Sequence, residues 1–171
     1  MITIAPYDPL WPALFEAEAR KIREGLGALA LRVDHVGSTA VPGLAAKPVI
    51  DIQVSVASLE PLESYSLPLS SLGYRHVPLG EFDRVYPYFC KPETWPHTHH
   101  VHLCVLGSVE ERNHLAFRDY LRHQPDVAAE YVRLKKELAA LHHGNTLESQ
   151  ESYSLAKTEF VRSVLQRAFA E

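Results

Sequence analysis

The stretch "HVGSTAVPGLAAKPVIDIQV", residues 35–54, decides how this chain is read. Continued to residue 56, its second half alternates strictly. Val49, Asp51, Gln53 and Ser55 fall on one side, and Ile50, Ile52, Val54 and Val56 on the other. A period of two is that of a half-buried strand, because successive side chains leave a pleated backbone on opposite faces. "LRVDHV" (31–36) reads as a second, shorter strand. Between the two, "GSTAVPGLAAKP" (37–48) is punctuated by Gly37, Pro42-Gly43 and Pro48, and reads as a loop or a single helical turn.

Outward from this core, "DPLWPALFEAEARKIREGLG" (8–27) reads as a helix that starts near Asp8 or Pro9 and ends at its glycines. A second helix is expected over about 58–72, closed by Gly73. "YRHVPL" (74–79) and "RVYPYFCKP" (84–92) are strand-like, and Pro87 suggests a sheet edge for the second. "HVHLCVL" (100–106) alternates again, with His100, His102 and Cys104 opposite Val101, Leu103 and Val105. Helices are expected over 108–123, 125–142 and 148–169, with Pro125 in a first turn and Gly144-Asn145 in a connection. This layout gives one domain over 1–171, with an α/β core (1–107) and a helical C-terminal part (108–171).

Composition narrows the function classes. The chain has 171 residues, 46% hydrophobic and 22% charged, the balance of an ordinary globular protein. Nothing approaches the roughly 18 apolar residues of a membrane span, and "MITIAPYDPL" lacks the basic and apolar regions of a signal peptide. Two cysteines, Cys90 and Cys104, make no disulfide framework and point to a reducing cytoplasm. A net charge of -4 argues against general nucleic-acid binding, while leaving room for a local basic pocket.

The alternating strands place the chemistry. If their apolar faces pack on helices, Asp51 and Gln53 share a polar surface with His100 and His102, an open floor for a cleft. Aspartate is depleted in mid-strand, so Asp51 stands out. Gly37 lets backbone approach a phosphate, Ser38 and Thr39 offer donors, and Lys47 adds a cation. Alone, however, Gly-Ser-Thr is common turn material, and the Walker pattern is absent. "HTHHVH" supplies His97, His99, His100 and His102, of which His100 and His102 fall on one strand face, where they could share a metal or bind phosphate; Cys104 extends that face toward a zinc set. Tyr153 and Lys157 lie one helical turn apart, although a helix lysine is usually solvated. Arg118 and Asp119 suit a structural ion pair, and Arg84 and Lys91 are candidate anion contacts.

Taken together, "YDPLWPALFEAEA", "HVGSTAVPGLAAKPVIDI", "HHVHL", "FRDYLRHQPDVAAEYVRLKKELA" and "YSLAKTEFV" resemble the GrpB family in the expected order, over nearly the whole chain. That resemblance implies an α+β fold of the polymerase-β nucleotidyltransferase type: a mixed sheet, helices on one face and a C-terminal helical segment. It implies that Gly37 and Ser38 hold nucleotide phosphates and that Asp51 is the first metal-binding carboxylate. Some family members occur fused to dephospho-CoA kinase, but without a Walker loop nothing in this chain supports kinase activity.

The expected activity is metal-dependent transfer from a nucleoside triphosphate to an unknown acceptor. Asp51, His100 and His102 are the candidate catalytic and metal residues. Gly37, Ser38, Thr39, Lys47 and Lys157 are the candidate phosphate contacts, and the divalent metal is magnesium or manganese ahead of zinc. The pattern departs from a generic transferase at Gln53, which is neutral, and at His100 and His102, which stand where a third carboxylate is wanted and suit transition metals better than magnesium. Two alternatives stand beside it: a noncatalytic module for a nucleotide or CoA-like ligand, and a histidine-rich metal-binding protein.

Overall fold

A computed structural model describes residues 2–142 and 146–170. The expected connection at Gly144-Asn145 lies outside the described residues. Helix α1 (Trp11–Leu26) presents Trp11, Phe15, Ala19, Ile22 and Leu26 on one buried stripe, the spacing of an amphipathic helix. It stops at Gly27, whose φ of 54° is cheap only for glycine. Strands β1 (Arg32–Val36) and β2 (Ile50–Val56) follow. Next come α2 (Glu63–Ser71), β3 (Arg75–Val77), β4 (Tyr88–Lys91) and β5 (His99–Val105). Four helices complete the chain: α3 (Val109–His123), α4 (Pro125–Leu141), α5 (Leu147–Leu155) and α6 (Thr158–Ala168).

The five strands form one mixed sheet in the order β1-β2-β5-β4-β3. β2 runs parallel to β5 and the other three pairings are antiparallel. As the alternation required, Ile50, Ile52, Val54, Val56, Val101 and Leu103 lie together on one face, packed with Phe15 and Ile22 of α1 and Tyr65 and Leu69 of α2. One carboxylate enters this layer. Glu18 is buried and accepts from Lys91 Nζ (2.7 Å), Lys21 Nζ (3.1 Å) and the Tyr74 hydroxyl (3.1 Å). A buried charge needs such partners.

Four expectations change. The second helix begins at Glu63 rather than near 58, because a side-chain turn at Ser58 and then Pro61 occupy the preceding residues. Pro87 does not mark an edge: β4 lies between β5 and β3, and Pro87, just before the strand, contributes its carbonyl to Leu103 N–H (3.0 Å). The final helix is two, α5 and α6, joined at Ala156-Lys157. Finally, the polar face is not an open floor. Helix α3 crosses it, and Gln53, Ser55 and Cys104 are fully buried.

Glu111 makes that crossing possible. Ser108 caps α3 by accepting from Glu111 N–H (3.2 Å), and the Glu111 carboxylate accepts from Gly107 N–H (2.6 Å) and the Ser55 hydroxyl. The Gln53 amide donates to the Glu111 carbonyl (3.4 Å) and accepts from the Tyr86 hydroxyl (3.1 Å). Removing the carboxylate deprives the buried Ser55 hydroxyl and the Gly107 N–H of their acceptor. Glu111→Ala is therefore expected to lower unfolding stability by about 3 kcal/mol, seen as an earlier urea midpoint with an unchanged slope.

Candidate functional site

The loop from Gly37 to Lys47 crosses the end of β2 where Asp51 emerges. Ser38–Ala40 form one tight helical turn behind Gly37. Gly37 has φ 71°, and a Cβ there would collide with the Asp51 carboxylate. Both the dihedral and the space therefore demand glycine. Thr39 points inward rather than toward a ligand: its buried hydroxyl bonds the Val49 carbonyl (3.3 Å) and His35 Nε2 (2.9 Å).

Strand pairing sets Asp51 directly beside His100, and Gln53 beside His102. His100 Nδ1 lies 3.1 Å from Asp51 Oδ1. One ligand atom from each of Asp51, His100 and His102 lies within 4.8 Å of the others, a spread that modest side-chain movement closes around one ion. Burial alone would raise the Asp51 pKa. The His100 hydrogen bond, with the Lys47 charge nearby, instead holds it down to about 2, so it is an anion at neutral pH.

His102 is clamped between two phenols. Tyr86 stacks on it at 4.7 Å and Tyr88 at 5.1 Å between ring centroids. Burial brings its pKa down to about 3, so the ring is neutral. Its buried Nδ1 has no hydrogen-bond partner. A fixed, neutral imidazole with an unmatched buried nitrogen suits a metal ligand. Along β2, the same-face neighbours of Asp51 are Val49 and Gln53, so the strand supplies one carboxylate. The donor set thus fits a divalent ion with mixed nitrogen and oxygen ligands. Cys104 does not join it. The thiol is sealed under α3 near Ser55 (3.7 Å), and burial pushes its pKa up to about 11.

Lys47 and Lys157 stand near Asp51, and Lys135 stands near Lys157. Lys47 Nζ bonds Gln150 Oε1 (2.9 Å) and lies 5.0 Å from the Tyr153 ring centre. Lys157, at the α5–α6 junction, lies over the same ring at 4.3 Å, so it is not a solvated helix lysine. The sequence reading missed Lys135 of α4, which donates to the Ala45 carbonyl (2.6 Å) and lies 4.6 Å from the Tyr131 ring centre. Its only signal was the spacing of Tyr131 and Lys135, one helical turn apart in "EYVRLKKELA". Burial lowers all three lysines. Lys157 comes down to about 8, with Lys47 repelling it, and Lys135 to about 7, with Lys157 repelling it. Tyr131, also missed, hydrogen-bonds Ser38.

Of the remaining candidates, Arg118 does pair with Asp119 (2.8 Å) and also donates to the His35 carbonyl (3.0 Å). Lys91 is committed to Glu18 on the opposite face, and Arg84 pairs with Glu81 in an exposed turn. Beside the lysines, a groove of about 720 Å³ runs between α3 and α6, lined by Asn113, Tyr131, Lys157, Val161, Leu165 and Gln166 among others.

The fold is nucleotidyltransferase-like. Cid1 poly(U) polymerase with Mg and 3'-dATP bound aligns with a TM-score of 0.56, covering 84% of this chain and 45% of that one. Its identity is 15%, a likeness of fold. The chain belongs to the GrpB family: the family model described as GrpB protein matches residues 1–167. The crystal structure of conserved protein GrpB from Enterococcus faecalis aligns with a TM-score of 0.83 at 36% identity, over 97% of this chain and 96% of that chain. The UPF0157 protein YqkA of Bacillus subtilis (strain 168) is 33% identical over 98% of this chain. The chain spans 47% of that relative's length. No helix among the described residues is long and apolar enough to cross a membrane.

Two outcomes follow. Gly37→Ala is expected to destabilise the protein by about 1–3 kcal/mol from its backbone conformation alone (φ 71°, ψ -169°), with a further cost from the Asp51 collision; thermal unfolding measures it. The lysines give the second. Because folding lowers the Lys135 and Lys157 pKa values from 10.5 to about 7 and about 8, the unfolded chain holds more protons from near pH 7 up to about 10.5. Stability should rise with pH across that window, and Lys135→Met should flatten the rise in the thermal midpoint.

Proposed function

We propose that this chain is a metal-dependent nucleotidyltransferase acting on a nucleoside triphosphate and a separate acceptor. One observation carries the reading: Asp51 and two imidazoles converge on one side of the Gly37–Ser38 loop, and Lys47, Lys135 and Lys157 gather near it. An anion clustered with imidazole nitrogens suits a divalent cation, and the buried Lys135 with the half-buried Lys47 and Lys157 suits a polyphosphate.

In this reading Asp51, His100 and His102 hold the ion, which when bound supplies Lewis-acid stabilisation of phosphoryl charge. Ser38, Lys47, Lys135 and Lys157 bind the β- and γ-phosphates and stabilise the departing pyrophosphate. The Gly37 backbone, free of a side chain, leaves room at Asp51. The groove between α3 and α6 receives the nucleoside; its volume is in the range of small-molecule sites. An acceptor oxygen bonds to the α-phosphorus as the bond to pyrophosphate breaks, and the acceptor's proton passes to water. The two free, buried cysteines accord with a reducing cytoplasm.

The single carboxylate on β2 favours one other reading, a module that binds the nucleotide without turning it over. The two separate cleanly. Pyrophosphate release is measured with each nucleoside triphosphate, Mn²⁺ or Mg²⁺ and a pool of small-molecule acceptors. Transfer predicts release that falls at least about 100-fold in Asp51→Asn, the scale of one lost electrostatic contact in a transition state. Nucleotide binding that survives Asp51→Asn, with no release from wild type, establishes the binding module instead. Lys135→Ala should weaken triphosphate binding about tenfold or more under either reading, measured by calorimetry.

A further inference from the structure

His97 was only one of four clustered histidines in the sequence, and it sits outside the three candidate ligands. The structure gives it a defined place. His97 is 6% exposed, its Nδ1 lies 3.1 Å from His100 Nε2, and its ring stacks on Trp95 at 3.6 Å. His100 is therefore held at both ends of its ring, by Asp51 at Nδ1 and by His97 at Nε2.

The ring contacts assign the protons of the metal-loaded site. His100 Nδ1 faces Asp51, in the candidate ligand set, so an ion held there takes the lone pair of that nitrogen. A neutral imidazole with one nitrogen on a metal carries its proton on the other, here Nε2. His97 Nδ1, 3.1 Å away, is the group placed to accept that proton.

We propose that His97 is a positioning residue: by accepting from His100 Nε2–H, it fixes the tautomer that turns His100 Nδ1, with Asp51 and His102, onto one nitrogen-preferring divalent transition-metal ion. This rests on the metal-dependent reading above and deepens it by assigning the class of ion. Metal-binding histidines are commonly oriented by an acceptor at the second nitrogen, and loss of that acceptor weakens binding about 10- to 100-fold. Here the acceptor is an imidazole, itself held by the Trp95 stack and the Glu93 backbone.

The test uses untagged full-length protein and Co²⁺ as an absorbing probe, with Mn²⁺ and Mg²⁺ as competitors. Wild type should bind Co²⁺ with ligand-field bands, and Mg²⁺ should compete poorly. His97→Phe keeps a ring against Trp95 but removes the acceptor. It should bind Co²⁺ about 10- to 100-fold more weakly, with altered bands. His97→Asn, whose Oδ1 can stand near the lost Nδ1, should recover most of the affinity. Metal-free thermal midpoints close to wild type establish that both variants fold.

Ring ¹⁵N shifts of metal-loaded wild type read the tautomer without any substitution. A proton on His100 Nε2 is expected, and one on Nδ1 would overturn the proposal. Equal Co²⁺ affinity and identical bands in His97→Phe would also overturn it while leaving the metal reading intact. Failure of wild type to bind Co²⁺ or Mn²⁺ at all would remove the metal reading itself. Mg²⁺ displacing Co²⁺ at comparable concentration would overturn the assigned class of ion.

Discussion

The loop between β1 and β2 is folded back with little regular backbone pairing, one helical turn at Ser38–Ala40 and one bridge of Ala46 to Ala5, and much of the structure exists to satisfy the rest. Its side chains Val41 and Leu44 are buried with Leu121 and Tyr131 from the C-terminal helices. Carbonyls drawn in with them need donors. Arg122 donates twice to the Ala40 carbonyl, at 3.0 and 2.7 Å, and Lys135 to the Ala45 carbonyl at 2.6 Å. Arg118 closes the upstream end at His35. Cations from α3 and α4 thus stitch an irregular loop to the helical half. The same contacts bring Lys135 beside the loop that carries Ser38. Structural need and candidate chemistry share these side chains, so a change at Lys135 should be read for both.

This shared duty explains which parts of the site were legible in the sequence. The alternation of β2 and β5 placed Asp51, His100 and His102 on one face before any coordinates, because strand period depends only on backbone geometry. The same rule misjudged Gln53. Period two says which side a residue faces, and nothing in it says whether a distant helix will cover that side. The cover comes from Glu111, 58 residues along the chain, through Ser55 and Gln53. Pro87 failed similarly, since a proline just before a strand leaves the ladder intact and says nothing about the strand's outer neighbour.

The lysines show the opposite limit. Lys135 sits in a charged helical segment whose pattern reads as solvated, and its burial follows from the turn of α4 that faces the loop. Lys157 was visible only as a spacing to Tyr153. The break between α5 and α6 places it at the junction, over Tyr153, where a continuous helix was expected. Short-range pattern therefore identified the strand that holds the carboxylate. Lys47 and Lys157 were nameable from the sequence, but their grouping with Lys135 comes from tertiary contacts 90 or more residues apart, such as Lys135 with Ala45 and Lys47 with Gln150.

The scarcity of carboxylates bears on the chemistry in a definite way. Each carboxylate ligand neutralises part of a bound ion's charge, whereas an imidazole donates a lone pair and leaves the charge in place. With Val49 and Gln53 flanking Asp51, and His100 and His102 opposite, a divalent ion would keep more of its positive charge for phosphate oxygens than in an all-carboxylate site. The buried Lys135 and the half-buried Lys47 and Lys157 add to that field, in a protein whose net charge is -4. Burial already costs these lysines, as their lowered pKa values show, and a multiply charged anion relieves that cost on arrival. Gln53, the departure that made the sequence doubtful as a transferase, is thus occupied elsewhere: it fastens α3 to the sheet. The site beside it is arranged around one anion, imidazole nitrogens and a surplus of cations, which suits a polyphosphate.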